Sequence, residues 1–117
     1  MDRILRATGN SWNGLKAAIR TETAFRQEVS VFIVSIPLAL VIGESLWTRI
    51  ALIGVIGFVM VVELLNTAVE KLADRVSREI DMQIGVVKDL ASASVGLSLL
   101  IAGAVWLLAL AERLGML

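Results

Sequence analysis

Neither cysteine nor histidine occurs among the 117 residues. Their absence removes disulfides, thiolate nucleophiles, the usual zinc sites and imidazole acid–base chemistry together. Proline occurs once, and no run of Pro, Gly and Ser reads as a linker or low-complexity tail, so one domain, residues 1–117, accounts for the length. Aromatic residues are scarce, at 5%, and the formal net charge is zero, which leaves neither a stacking platform nor a bulk field for nucleic acid. Chemistry is left to carboxylates, Lys, Arg, Ser, Thr and Asn.

What the chain does have is apolar surface. Hydrophobic residues make up 57% and the mean hydropathy is +0.82. A soluble domain this small buries only roughly 60–70% of the surface its unfolded chain exposes, so the excess must face another apolar solvent, and lipid is that solvent. The expected fold is an all-α membrane protein, with an N-terminal amphipathic surface helix over about residues 3–28 and spans over about 29–47, 50–70 and 90–111. In the first segment Trp12, Leu15 and Ile19 recur at helical spacing while Arg6, Asn13, Lys16 and Arg20 take other faces, which suits an anionic membrane surface. The first apolar run begins near Val29 after a charged stretch and is followed by no small-residue cleavage site, unlike a secretory signal. It is uncharged only to Gly43 and needs Leu46 and Trp47 to approach a spanning length. Pro37 lies inside it, with Ser35 placed to satisfy the carbonyl that proline frees.

Charge placement sets the expected orientation. Arg3, Arg6, Lys16, Arg20 and Arg26 precede the first span, and Lys71, Arg75, Arg78 and Lys88 lie between the second and third, whereas the opposite side receives only Arg49 and Arg113. The N-terminus and the segment from Ala73 to Lys88 are therefore expected in the cytoplasm and the C-terminus outside.

The second span carries the feature with the most chemical content. At about 100° per residue, Glu63, Asn66, Thr67, Glu70 and Asp74 fall within an arc of roughly 100°. A charge near the bilayer centre costs at least about 2.5–3.5 kcal/mol, so an acidic face persists only against a protein interior or a wet cleft. Interhelical hydrogen bonding accounts well for one such residue and poorly for three acids in register, which repel unless cations balance them. The spans are expected to lack those cations, which makes a bound divalent ion the most economical counter-charge. Glu63 follows about 20 Å of apolar helix and is expected near the cytoplasmic third of the membrane, within reach of a lipid headgroup hydroxyl. Weaker signals are a phosphate-loop near miss at Gly9 to Lys16, small packing residues Ser92, Gly96, Ser98 and Gly103, and the pair Lys88 and Asp89, expected to open the third span.

The motifs Ser11-Trp12-Asn13-Gly14-Leu15, Ala24-Phe25-Arg26-Gln27-Glu28, Glu63-Leu64-Leu65-Asn66-Thr67-Ala68-Val69-Glu70 with Asp74-Arg75, and Lys88-Asp89 resemble the prokaryotic diacylglycerol kinases, in the same order and over nearly the whole chain. The resemblance implies a homotrimeric lipid kinase of the bacterial inner membrane, which moves the γ-phosphoryl group of Mg²⁺-bound ATP to the primary hydroxyl of diacylglycerol. It implies Glu63 as general base, Glu22 and Glu70 as metal ligands, and nucleotide contacts from Arg3, Asn10, Ser11, Glu22, Glu70, Glu79, Asp81, Lys88 and Asp89. Lipid contacts fall on Glu63, Asn66, Arg26 and Ser92, with Asp74, Trp12, Gln27 and Glu28 in support.

The chain departs from the enterobacterial pattern at Asn10, where that pattern has tyrosine, and at 83–87, which lack a basic residue; both changes bear on nucleotide affinity. Composition and spacing alone give an intramembrane acidic site, and ATP and lipid come only from the resemblance. Three alternatives stay open: an undecaprenol kinase of the same family, a small transporter with an embedded glutamate, and a purely structural oligomer.

Overall fold

The computed structural model describes residues 2–76 and 82–117. The described chain is helical: α1 spans Asp2–Thr21, α2 Thr23–Ile42, α3 Leu46–Val76 and α4 Met82–Arg113. The last three are long and apolar enough to cross a membrane. In each hydrophobic window only 17% of the residues are buried inside the chain, so most of the apolar surface is left for lipid or for other copies.

The surface helix expected to run to Glu28 ends instead at Thr21. No glycine or proline marks the break. Glu22 is extended, at φ −110° and ψ 108°, and serves as the N-cap of α2 without a side-chain capping bond. The elbow is held from the far side by Arg26, whose guanidinium donates to the carbonyls of Ile19 at 2.9 Å and Arg20 at 3.1 Å and to the Thr23 hydroxyl at 3.2 Å. Those carbonyls belong to the last turn of α1, which lacks intrahelical donors, so a cation there satisfies them and complements the helix dipole.

Leu46 and Trp47 do not extend the first span, because α2 ends at Ile42 and α3 begins at Leu46. Ser45 caps α3, its hydroxyl accepting from the Thr48 N–H at 3.1 Å. Arg49 reaches back to the Gly43 carbonyl at 3.1 Å and closes the end of α2. Pro37 sits within the continuous α2, and the Ser35 hydroxyl donates to the Phe32 carbonyl, one residue before the carbonyl that Pro37 leaves free. At the other terminus Gly115, at φ 77°, allows the Met116 N–H to reach the Ala111 carbonyl and its own N–H to reach that of Glu112, the paired bonds of a Schellman cap.

Packing is strongest between α3 and α4, then between α2 and α3, while α1 touches α2 and little else. Ala39, Leu52 and Ala109 form the buried knot, flanked by Ile42, Ile53, Val105 and Trp106. The alanines let the helices approach closely, and the Trp106 indole crosses to the Leu52 carbonyl at 3.0 Å. Of the small residues on α4, Ser98 is buried and donates to the Val95 carbonyl, whereas Gly96 and Gly103 face open space and Ser92 is exposed. The knot lies at the end of the bundle where α2 finishes and α3 starts. The acidic residues therefore occupy the opposite, more open end.

Candidate functional site

The site forms where the α1–α2 elbow meets the second half of α3. Helical geometry alone places Glu63, Asn66, Glu70 and Asp74 on one side of α3, and α2 brings Glu28 to that side from its second turn. Glu63 is half-buried and lies within Coulombic reach of Glu70 and Glu22, and Glu28 is within reach of Glu63. Asn66 is 8% exposed and donates its amide to Glu70 Oε1 at 3.3 Å. Among the described residues, two acceptors, Glu28 Oε2 and Asn66 Oδ1, are buried with no hydrogen-bond partner. An orphaned buried acceptor costs about 1–3 kcal/mol, and both sit where a donor from outside the chain would be useful.

Beside these acids a cleft of about 570 Å³ opens between α1 and α3. Small residues Gly14, Ala17, Ala18 and Ala68 are among its lining, with Ser11, Thr21, Glu22, Thr67 and Lys71 as its polar members. The Ser11 hydroxyl is turned to the Ala7 carbonyl at 2.9 Å. Glu22, freed from capping α2, forms an ion pair with Lys71 at 3.1 Å.

That pair corrects the expectation that no cation accompanies the acids. Lys71 lies at roughly 80° from Glu63 around α3, at the edge of the polar stripe, and helical projection locates it there once the stripe is followed one residue past Glu70.

The other residues singled out from sequence divide clearly. Asp74 pairs with Lys88 and so ties α3 to α4. Lys88 and Asp89 do not open a helix: α4 begins at Met82, so both lie well inside it, beyond the turn where a helix dipole acts on a charge. Asp89 and Ser92 are exposed on α4.

Arg26 is occupied at the elbow, and Gln27 beside it is exposed. Arg3, Asn10 and Trp12 are exposed on α1, with the Lys16 ammonium 5.9 Å from the Trp12 ring centre. Along α1, Arg3 is about 28 Å from Glu22 and Asn10 about 18 Å, so a single chain does not gather them around the acids. Glu79 and Asp81 lie outside the described residues.

Half-buried Glu63 can accept a proton from a group arriving at the lipid boundary. Glu22 and Glu70 are two carboxylates near it, each held by one hydrogen-bonding neighbour. Among the described residues no three acidic side chains converge into a metal cage. Two carboxylates with open positions suit Mg²⁺, which keeps its waters and shares itself with phosphate oxygens.

Known proteins are similar to this chain over most of its length. The sequence profile of the family described as prokaryotic diacylglycerol kinase matches residues 9–110. The chain is similar to a diacylglycerol kinase of Escherichia coli K12, 37% identical over 113 residues that cover 97% of this chain and 93% of that one. It is also similar to diacylglycerol kinases of Haemophilus influenzae and Pseudomonas aeruginosa, each 41% identical over 106 residues and 91% of this chain, covering 90% and 86% of theirs. A match across α1 to α4, including the full acidic stripe of α3, means that this chain belongs to the prokaryotic diacylglycerol kinase family.

Proposed function

We propose that this protein phosphorylates the primary hydroxyl of diacylglycerol with the γ-phosphoryl group of ATP, yielding phosphatidic acid at the cytoplasmic face of the bacterial inner membrane. The observation that carries this reading is Glu63, half-buried at the end of an apolar helical run and within Coulombic reach of Glu70 and of Glu22, which lines the cleft between α1 and α3. The names of the relatives supply the lipid substrate.

The division of labour follows from the side chains. As the lipid oxygen forms its bond to the γ-phosphorus, the bond from that phosphorus to the bridging oxygen of the leaving ADP breaks, and the hydroxyl proton passes to Glu63. The buried, partnerless Glu28 Oε2 and Asn66 Oδ1 are acceptors suited to polar hydrogens of the incoming headgroup. Glu22 and Glu70 would hold Mg²⁺, which would supply neutralising charge to the phosphates. Asn66 orients Glu70 for that task, and the elbow at Glu22 sets how closely its carboxylate approaches α3.

Exposed apolar faces on all three spans support assembly into a homotrimer, in which α1 of one copy brings Arg3 and Asn10 toward the acids of another. An N-terminus in the cytoplasm and a C-terminus outside follow from the charge distribution.

The test is transfer of labelled phosphate from ATP to diacylglycerol in detergent micelles, with undecaprenol as competing acceptor. Glu63→Gln is expected to lower turnover by about 10²–10⁴ with the assembly intact. Full turnover by that variant removes the general-base role. Transfer to undecaprenol alone replaces the lipid assignment.

A further inference from the structure

Lys71 has no part in the reaction as described so far, and its position is unusual for a bystander. It follows Glu70 directly, lines the α1–α3 cleft, and bonds Glu22, one of the two proposed metal ligands, at 3.1 Å. The side chain remains 64% exposed while so engaged, against 29% for Glu22, so the ammonium stands at the mouth of the cleft and the carboxylate deeper within it. Around α3, Lys71 continues the polar stripe from Glu70 and Thr67 toward α1.

We propose that Lys71 is an exchangeable counter-ion of the site: it neutralises Glu22 when no divalent ion is bound, and turns to the nucleotide's phosphates when the metal takes Glu22. This inference rests on the metal-site reading given above. Its physical basis is competition for one carboxylate. A monovalent ammonium and a divalent ion cannot both be seated on Glu22 without mutual repulsion, and the divalent ion has the stronger attraction.

The lysine that is displaced keeps its charge, a stem of four methylenes and an open path into the cleft. An ATP phosphate chain is the nearest concentrated negative charge once Mg²⁺ has neutralised Glu22 and Glu70. An ammonium suits this exchange, because it is a compact point charge with rotatable donors and a flexible stem. A plain structural tie between α3 and the elbow is the competing explanation. It predicts a loss of stability and no opposed effects on the two ligands.

The two roles of the exchange have opposite signs, which makes it testable without turnover. Lys71→Met removes the competitor for Glu22 and also the donor for phosphate. Binding of Mn²⁺, a paramagnetic stand-in for Mg²⁺, is followed by electron paramagnetic resonance on the full-length protein in micelles without nucleotide. It is expected to tighten by about 3–10-fold.

Binding of the magnesium complex of β,γ-methylene-ATP to the same variant is expected to weaken by about 10-fold. Lys71→Arg keeps the charge and is expected to stay within about 3-fold of the parent for both ligands, which also controls for folding. If Lys71→Met leaves Mn²⁺ affinity unchanged or weakens it, or leaves nucleotide affinity unchanged, the exchange is refuted. Glu22→Gln separates this from the underlying reading: it is expected to lose Mn²⁺ binding, and if it does not, Glu22 is not a metal ligand and the larger assignment fails first.

Discussion

Replacing Asn66 with leucine separates positioning from packing at the centre of the site. Asn66 is 8% exposed, donates one hydrogen bond to Glu70 at 3.3 Å and leaves its own Oδ1 buried without a partner. Leucine has nearly the same shape. It forfeits a bond to a charged acceptor, about 1.5–3 kcal/mol, and removes an orphaned acceptor that costs about 1–3 kcal/mol. The two nearly cancel, because Glu70 is exposed and water can replace the lost donor.

Thermal stability in micelles is therefore expected to shift by less than about 1 kcal/mol. Function is not protected in the same way. A ligand carboxylate that loses its orienting partner loses about 10–100-fold in metal affinity or activity, so the Mg²⁺ concentration for half-maximal rate should rise by that factor. The assay is phosphate transfer titrated with Mg²⁺, run beside a thermal unfolding curve on the same preparation. An unchanged Mg²⁺ titration refutes the idea that Asn66 positions Glu70. A fall in stability of several kcal/mol means instead that the amide serves mainly to hold the helices together.

Other consequences of the structure can be checked as directly. Gly43→Ala places a Cβ 2.9 Å from the Ala39 carbonyl oxygen, 3.2 Å from the Arg49 nitrogen and 2.5 Å from Arg49 Cγ. Backbone atoms cannot yield cheaply, so the variant should lose about 1–3 kcal/mol of stability in thermal unfolding while turnover at low temperature is retained. Arg26→Gln removes the donors to the Ile19 and Arg20 carbonyls and loosens the elbow by about 1 kcal/mol. Trypsin should then cut after Arg20 faster than in the parent, and an unchanged cleavage rate argues that the elbow is held by other contacts.

The helices and their acidic stripe were legible because both depend on periodicity and length, which a sequence displays directly. Glu63, Asn66 and Glu70 share a face whatever the surroundings. The break at Glu22 was not legible. Thr21-Glu22-Thr23 contains no helix breaker, and the bend is stabilised by a guanidinium that reaches back six and seven residues to backbone carbonyls, farther than the four-residue bonds of a continuous helix. The start of α4 is hidden in the sequence for a related reason. Lys88 and Asp89 look like a boundary when charge is the guide, yet the helix extends past them to Met82, and Lys88 is paired with Asp74 on the neighbouring helix. Lys71 is visible in the sequence as a charge that bears on orientation, whereas its partner comes from an elbow that the sequence does not announce.

The length of α3 has an implication for where this chain can work. At 31 residues it is about 46 Å long, some 16 Å more than a hydrocarbon layer of about 30 Å. Glu63 stands about 25 Å from the start of that rod, near the far edge of such a layer. About 5 Å of bilayer thinning would bring this carboxylate to the edge of the layer, and thickening would sink it deeper among acyl tails. Bilayer thickness is therefore expected to tune the wetness of this carboxylate with no change in any residue of the site.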